Sequence, residues 1–147
     1  MGRIAGIARR EKKRAPMELL ETAEVSTETG VGCDFRGKPG ERQVTLLSAR
    51  DWAAACEDLG REVPWTLRRS NLLIEDMDLP KRAGAVVEIG DVRLETTIEI
   101  DPCSRMDEQA EGLTAALKPD WRGGVGCRVI RGGTVSIGDP VRLVEAD

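Results

Sequence analysis

The sequence predicts a mainly β fold with mixed β/α character: a barrel of short strands carrying at least two short helices. Three observations predict it. Short apolar, largely β-branched runs bounded by Gly, Pro or Asp recur along the 147 residues. Glycine dipeptides, Gly90-Asp91 and Gly132-Gly133, sit between pairs of these runs, where tight hairpins need positive φ. Only two stretches, Ser48 to Leu59 and Glu108 to Leu117, break the pattern with helix signals. Many short strands with one apolar face either stack as a sandwich or close on themselves, and closure removes the edges.

Taken in order, Ile4 to Ala8, Met17 to Leu20 and Gln43 to Leu47 read as strands. Ser48 and Asp51 form a capping-box-like pair at the start of the first helix, and Gly60 ends it. Ala85 to Ile89 and Val92 to Glu99 flank Gly90-Asp91 as a hairpin, and the second of these strands must end at Pro102. Glu108 to Leu117 is Ala-rich and stops before Pro119. Gly126 to Ile130 and Thr134 to Ile137 flank Gly132-Gly133 as a second hairpin, and Val141 to Val144 closes the set. The echo of Ile89-Gly90-Asp91 in Ile137-Gly138-Asp139 is turn chemistry, too short to be a repeat. Trp52, Trp65 and Trp121 are assigned to packing, because a chain with one Phe and no Tyr has few other aromatics for a core.

Composition narrows the function. The net charge is −4, and the basic residues are dispersed except for Arg9, Arg10, Lys12, Lys13 and Arg14, which read as a solvated strand end. That is no phosphate-backbone footprint, so nucleic acid is excluded as a partner. No signal-type segment or membrane-length apolar run is found, so a cytoplasmic chain of one domain, residues 1–147, is expected with no membrane partner. The chain has no histidine, which removes Ser-His and Cys-His catalysis and the commonest metal ligand. Cys33, Cys56, Cys103 and Cys127 form no Cys-x-x-Cys pair, so neither a zinc ribbon nor a compact disulfide framework is indicated. Cys56 and Cys127 lie among small or apolar neighbours and read as packing.

Cys103 stands apart. It follows Asp101-Pro102, where proline fixes its own φ and biases Asp101 toward extended backbone, so the scaffold rather than a loose loop sets the thiol's position. Such a thiol is a nucleophile, a metal ligand, or a small buried hydrophobe; the local sequence leaves these open. A free thiol near its reference pKa of about 8.5 is mostly protonated at neutral pH, so a working Cys103 needs a cation or a metal, and Arg105 is the nearest candidate cation in sequence.

Four segments, in order and spacing, resemble one family. They are Gly30-Val31-Gly32-Cys33-Asp34 followed by Arg42 to Leu47; Arg68-Arg69-Ser70-Asn71-Leu72-Leu73-Ile74-Glu75; Asp101-Pro102-Cys103; and Arg131-Gly132-Gly133-Thr134-Val135-Ser136-Ile137-Gly138-Asp139. On these the chain resembles the MOSC domain, named for the C-terminal part of molybdenum cofactor sulfurases. The resemblance implies a MOSC-type β-barrel in which Cys103 is the functional thiol, either as the ligand of a molybdenum cofactor (molybdopterin) or as a persulfide carrier. Cys33 departs from the pattern by standing where the family usually shows Gly, and its side chain restricts close approach of a ligand to the loop backbone.

Because the pterin cofactor bears phosphate, Arg68, Arg69 and Asn71 are candidate contacts, as are Asp34, Arg36 and Arg42 around the Gly37 to Gly40 loop, Arg105, and Arg122 after the second helix. The length leaves no room for a pyridoxal-phosphate (PLP) desulfurase domain, and no flavin or nicotinamide fingerprint is present. Three readings follow: a molybdenum-dependent oxidoreductase component acting on N-hydroxylated compounds with an external reductase; a sulfur carrier with Cys103 as persulfide, charged by a cysteine desulfurase; and a cofactor-binding module without chemistry of its own.

Overall fold

In the computed structural model the described residues are 2–12, 15–102 and 110–144. Buried and exposed side chains alternate along the strands, as period-2 geometry requires. Strand β8 (Val92–Glu99) buries Val92, Leu94 and Thr96 between exposed Arg93 and half-buried Glu95. It forms the expected hairpin with β7 (Val86–Ile89) through Gly90, whose φ of 60° puts glycine where a type II′ turn demands it.

The remaining strands are β1 (Gly2–Arg9), β2 (Glu18–Leu20), β3 (Thr22–Ser26), β4 (Gly30–Val31), β5 (Val44–Ser48), β6 (Leu72–Glu75), β9 (Val125–Arg131), β10 (Gly133–Ser136) and β11 (Pro140–Val144). Seven of the strands close a barrel in the order β11-β7-β8-β9-β5-β6-β1, sealed by β1 pairing with β11. Every pairing in it is antiparallel except β5 with β6, whose crossover carries α1 (Ala49–Leu59) and a 3₁₀ turn (Trp65–Arg68). One edge of β1 is shared: Gly2 and Arg3 pair with β11, and Ile7 to Arg9 pair with β2.

The barrel interior is filled by Ile4, Ile7, Leu46, Leu72, Ile74, Ile89 and Leu94 among others. A second core lies outside it, where Leu47, Trp52, Ala55, Val63, Leu113 and Leu117 join α1 to α2 (Leu113–Leu117). Helix α1 begins as expected, with Ser48 Oγ accepting from the Asp51 amide at 3.3 Å, and stops at Gly60 with φ 81°. The second helix is shorter than expected. Gly112 holds φ 87°, a conformation no α-helix interior tolerates, so the helix starts at Leu113; Glu108 lies outside the described residues. Among the described residues no helix is long and apolar enough to cross a membrane.

The expected hairpin at Gly132-Gly133 does not form. There the chain leaves the barrel, and β10 pairs with β3 in a separate three-stranded sheet, β10-β3-β4. Glycine is needed at 132 because any Cβ would overlap the Val25 carbonyl oxygen of β3. Cys127 is fully buried in the barrel wall, and burial pushes its thiol pKa far up, consistent with a packing residue.

The β7–β11 seam carries Glu88, whose carboxylate accepts from Arg142 at 2.6 Å and from Arg93 at 3.3 Å. The Arg142 hydrogen bond is the main cause holding Glu88 below its ordinary value of 4.5, so its contribution is present above that value and is lost as pH falls through the lower folded one. Glu88→Gln is therefore expected to lower the melting temperature at pH 7, with the gap from wild type closing in acid. A gap independent of pH would contradict this.

Candidate functional site

The backbone leading into Asp101-Pro102 is pinned from three directions. Ile100 donates its N–H to Gly124 O at 3.0 Å. Arg68, only 8% exposed, donates from Nη2 to Ile100 O at 2.7 Å and from Nε to Gly123 O at 2.8 Å. Gly123 packs so tightly that a Cβ would overlap Ile100 O and lie 3.3 Å from Pro102 Cδ, while one at Gly124 would lie 2.6 Å from Leu46 O. Just before it, Asp120 and Trp121 hold positive φ of 48° and 59°, the signature of a loop over-determined by its surroundings. Glu99, the last residue of β8, has its pKa raised by partial burial and then by the charge and hydrogen bond of nearby Asp101. Cys103 and Arg105 lie outside the described residues.

The glycine-rich loop after β4 is equally constrained. Gly30 and Gly32 take φ of 69° and 57°, and Gly37 is pressed against the Thr29 carbonyl. Gln43, buried at the head of β5, donates to Thr27 O at 2.8 Å and Gly37 O at 3.1 Å while its Oε1 accepts from Val129 N at 2.8 Å. Through Gln43 the loop and the β3–β4 turn are both tied to barrel strand β9. Cys33 itself has φ 57°, a left-handed position where glycine costs least, and its side chain is exposed rather than folded into the loop.

Around this loop the structure brings together residues far apart in sequence. Asp34 accepts from Arg10 N at 2.7 Å and Arg36 N at 3.0 Å, and Phe35 N donates to Arg10 O at 2.8 Å. The Phe35 ring lies 5.5 Å from the Arg10 guanidinium, a cation–π contact. Arg69, left-handed with φ 62°, reaches Ala15 O at 3.3 Å. Burial first, then the charges of Arg69 and Arg36, pull the Arg10 pKa below its ordinary value, with Asp34 acting against them. Arg10, Arg36 and Arg69 therefore share one neighbourhood.

The other candidates are spread around it. Asn71 is buried: its Oδ1 accepts from Thr45 N at 3.0 Å and its Nδ2 donates to Ala8 O at 3.2 Å, joining β1 and β5 above β6. Arg42 is exposed beside Gln43. Arg122 turns toward the helices, bonding Asp58 and donating to Ala116 O at 3.1 Å. Arg10 is the residue that sequence reasoning missed, since a run of five cations within six positions reads as solvated. The available signal was its place directly after the strand-ending Arg9, where one more residue turns inward. Among the described residues no group of three or more His, Cys, Asp or Glu could hold a metal ion.

The fold has solved counterparts. The YuaD protein from Bacillus subtilis superposes with a TM-score of 0.80 at 17% identity, covering 96% of this chain and 94% of that one. YiiM from Geobacillus stearothermophilus gives 0.77 at 16% identity, covering 99% of this chain and 76% of that one. YiiM from Escherichia coli gives 0.71 at 14% identity, covering 99% and 71%. At these identities the likeness is one of fold. No curated protein matches the chain. The family model for the MOSC domain matches residues 24–142, which takes in the glycine-rich loop, the Arg68 to Asn71 segment, the Asp101-Pro102-Cys103 sequence and β10, and so the chain belongs to the MOSC domain family.

Proposed function

We propose that this chain binds a molybdenum cofactor, with the Cys103 thiol as the protein's ligand to the metal and with Arg36 and Arg69 toward the pterin's phosphate. The observation that carries the reading is the Arg68–Arg69 step. Arg68 fixes the exit of β8 into Asp101-Pro102, and the next residue belongs to the arginine neighbourhood around Asp34. Consecutive Cα atoms are about 3.8 Å apart, so one peptide unit links the support of the backbone entering Asp101-Pro102 to a phosphate-suited cluster. The residues fit the group: an excess of guanidinium suits a phosphate, and a single soft thiolate suits a metal already held by a dithiolene. Arg68, Asn71 and Asp34 act through the backbone they hold, as positioning residues.

When bound, such a centre supplies two-electron redox chemistry, and the family resemblance directs that toward N-hydroxylated compounds with electrons from an external reductase. Protein from a cofactor-competent host is expected to release a phosphorylated pterin after oxidation. A reductant-labile extra sulfur on Cys103, seen by mass spectrometry in the absence of pterin, would overturn this reading in favour of a sulfur carrier.

A further inference from the structure

We infer that the cleft between α1 and the segment from Arg61 to Trp65 binds a small organic cation, an ammonium group carried on an aromatic or aliphatic body. The cleft has a volume of about 630 Å³, within the range of roughly 300–1,000 Å³ typical of small-molecule sites. Its walls are fixed by the fold. Trp52, on the buried face of α1, donates from Nε1 to Val63 O at 3.0 Å, and the Cys56 thiol lies 4.0 Å from the same oxygen. Both contacts fasten the loop after Gly60 to the helix. On the other side Trp65 is seated on β1, where glycine at position 6 leaves the space: a Cβ there would lie 2.6 Å from Trp65 Cζ2. Ala49 and Ala53, one turn apart on α1, leave open the room that larger side chains would fill.

Lining and rim together select the ligand class. Trp52 and Trp65 are two of only four aromatic residues in the chain, and an indole face is the best aromatic partner for a cation. Glu57 and Glu62 stand exposed at the mouth, and among the described residues neither carboxylate has an ion-pair or hydrogen-bond partner. Arg61, also exposed, is the only cation among the described lining residues. Two carboxylates against one guanidinium leave an excess of one negative charge, which a monocation complements and an apolar anion does not. A neutral body of the same shape would fill the cleft but forgo the attraction of both the carboxylates and the indole faces. None of the described residues assigned to the cofactor lines this cleft, so the inference stands or falls apart from Cys103 and the metal.

The test is a titration of the full chain, followed through its three indole N–H resonances, at fixed pH and ionic strength. The probes are phenethylammonium, its uncharged analogue phenethyl alcohol, and the anion hydrocinnamate. The Trp52 and Trp65 resonances should move saturably with the ammonium, while that of Trp121, which packs against the barrel core, stays in place. The alcohol should bind about fivefold more weakly, and the anion more weakly still. Glu57→Gln combined with Glu62→Gln, both at exposed positions, should weaken the ammonium about fivefold and leave the alcohol unchanged. Ala53→Phe, on the exposed side of α1, should fill the cleft and abolish binding of both. No saturable shift at either indole, equal affinity for the three probes, tighter binding of the anion, or ammonium binding that survives Ala53→Phe would overturn the inference. So would shifts of the same two resonances on diluting the free chain, since a second copy would then be the occupant.

Discussion

Arg68→Met is expected to cost about 3 kcal/mol or more of stability and to abolish cofactor loading. The side chain is buried and satisfies two carbonyls, Ile100 O and Gly123 O, that no water can reach once a methionine fills the space. Each acceptor left unpaired costs roughly 1–3 kcal/mol. Against a domain stability of about 5–15 kcal/mol this is a large fraction. The loss should appear as a lower urea midpoint with unchanged slope. Arg68→Lys should recover only part of it, since an ammonium is a point donor and the fork spans two carbonyls. A midpoint within experimental error of wild type, with loading intact, would show that Ile100 and Gly123 are held by other contacts.

Gly37→Ala is the second large effect. A Cβ there would overlap the Thr29 carbonyl oxygen and lie 2.6 Å from the carbonyl carbon and 3.1 Å from Asp34 O, all backbone. The loop has no flexible side chain to move aside, so it must shift as a whole and pull Asp34 from Arg10. We expect about 3 kcal/mol of destabilisation. Gly84→Ala is the control: Gly84 has φ 84° with open space around it, so only the conformational cost of about 1–2 kcal/mol applies. Equal losses at the two positions in thermal melts would mean that backbone strain, not the Thr29 contact, governs the loop.

The parts of the fold that show in the sequence are those where local chemistry decides. The β7–β8 hairpin follows from Gly90, α1 from Ser48 and Gly60, and the buried face of β8 from its alternation. Where partner choice is tertiary, local pattern fails. Gly132-Gly133 carries the same turn chemistry as a hairpin, yet Gly132 serves the close approach of β3. β3 escapes notice because only Ala23 and Val25 face inward, and β4 because it is two residues long.

The site divides the same way. The end of β8 before Asp101-Pro102 is visible as a proline stop, but what braces it comes from Arg68, thirty-two residues before Ile100, and Gly123. Register explains why: Glu99 lies beside Val125, Val125 beside Leu46, Leu46 beside Leu72 and Leu72 beside Ile7, one row across five strands. No local pattern encodes such a row, and Arg10 is buried only because the β4–β5 loop folds over it through Asp34 and Phe35.

If Cys103 holds the metal of the proposed cofactor, elemental analysis of wild type and Cys103→Ala, purified side by side from a cofactor-competent host, should find close to one molybdenum per wild-type chain and almost none in the variant. Equal metal in both, or none in either with the chain folded, would contradict that role.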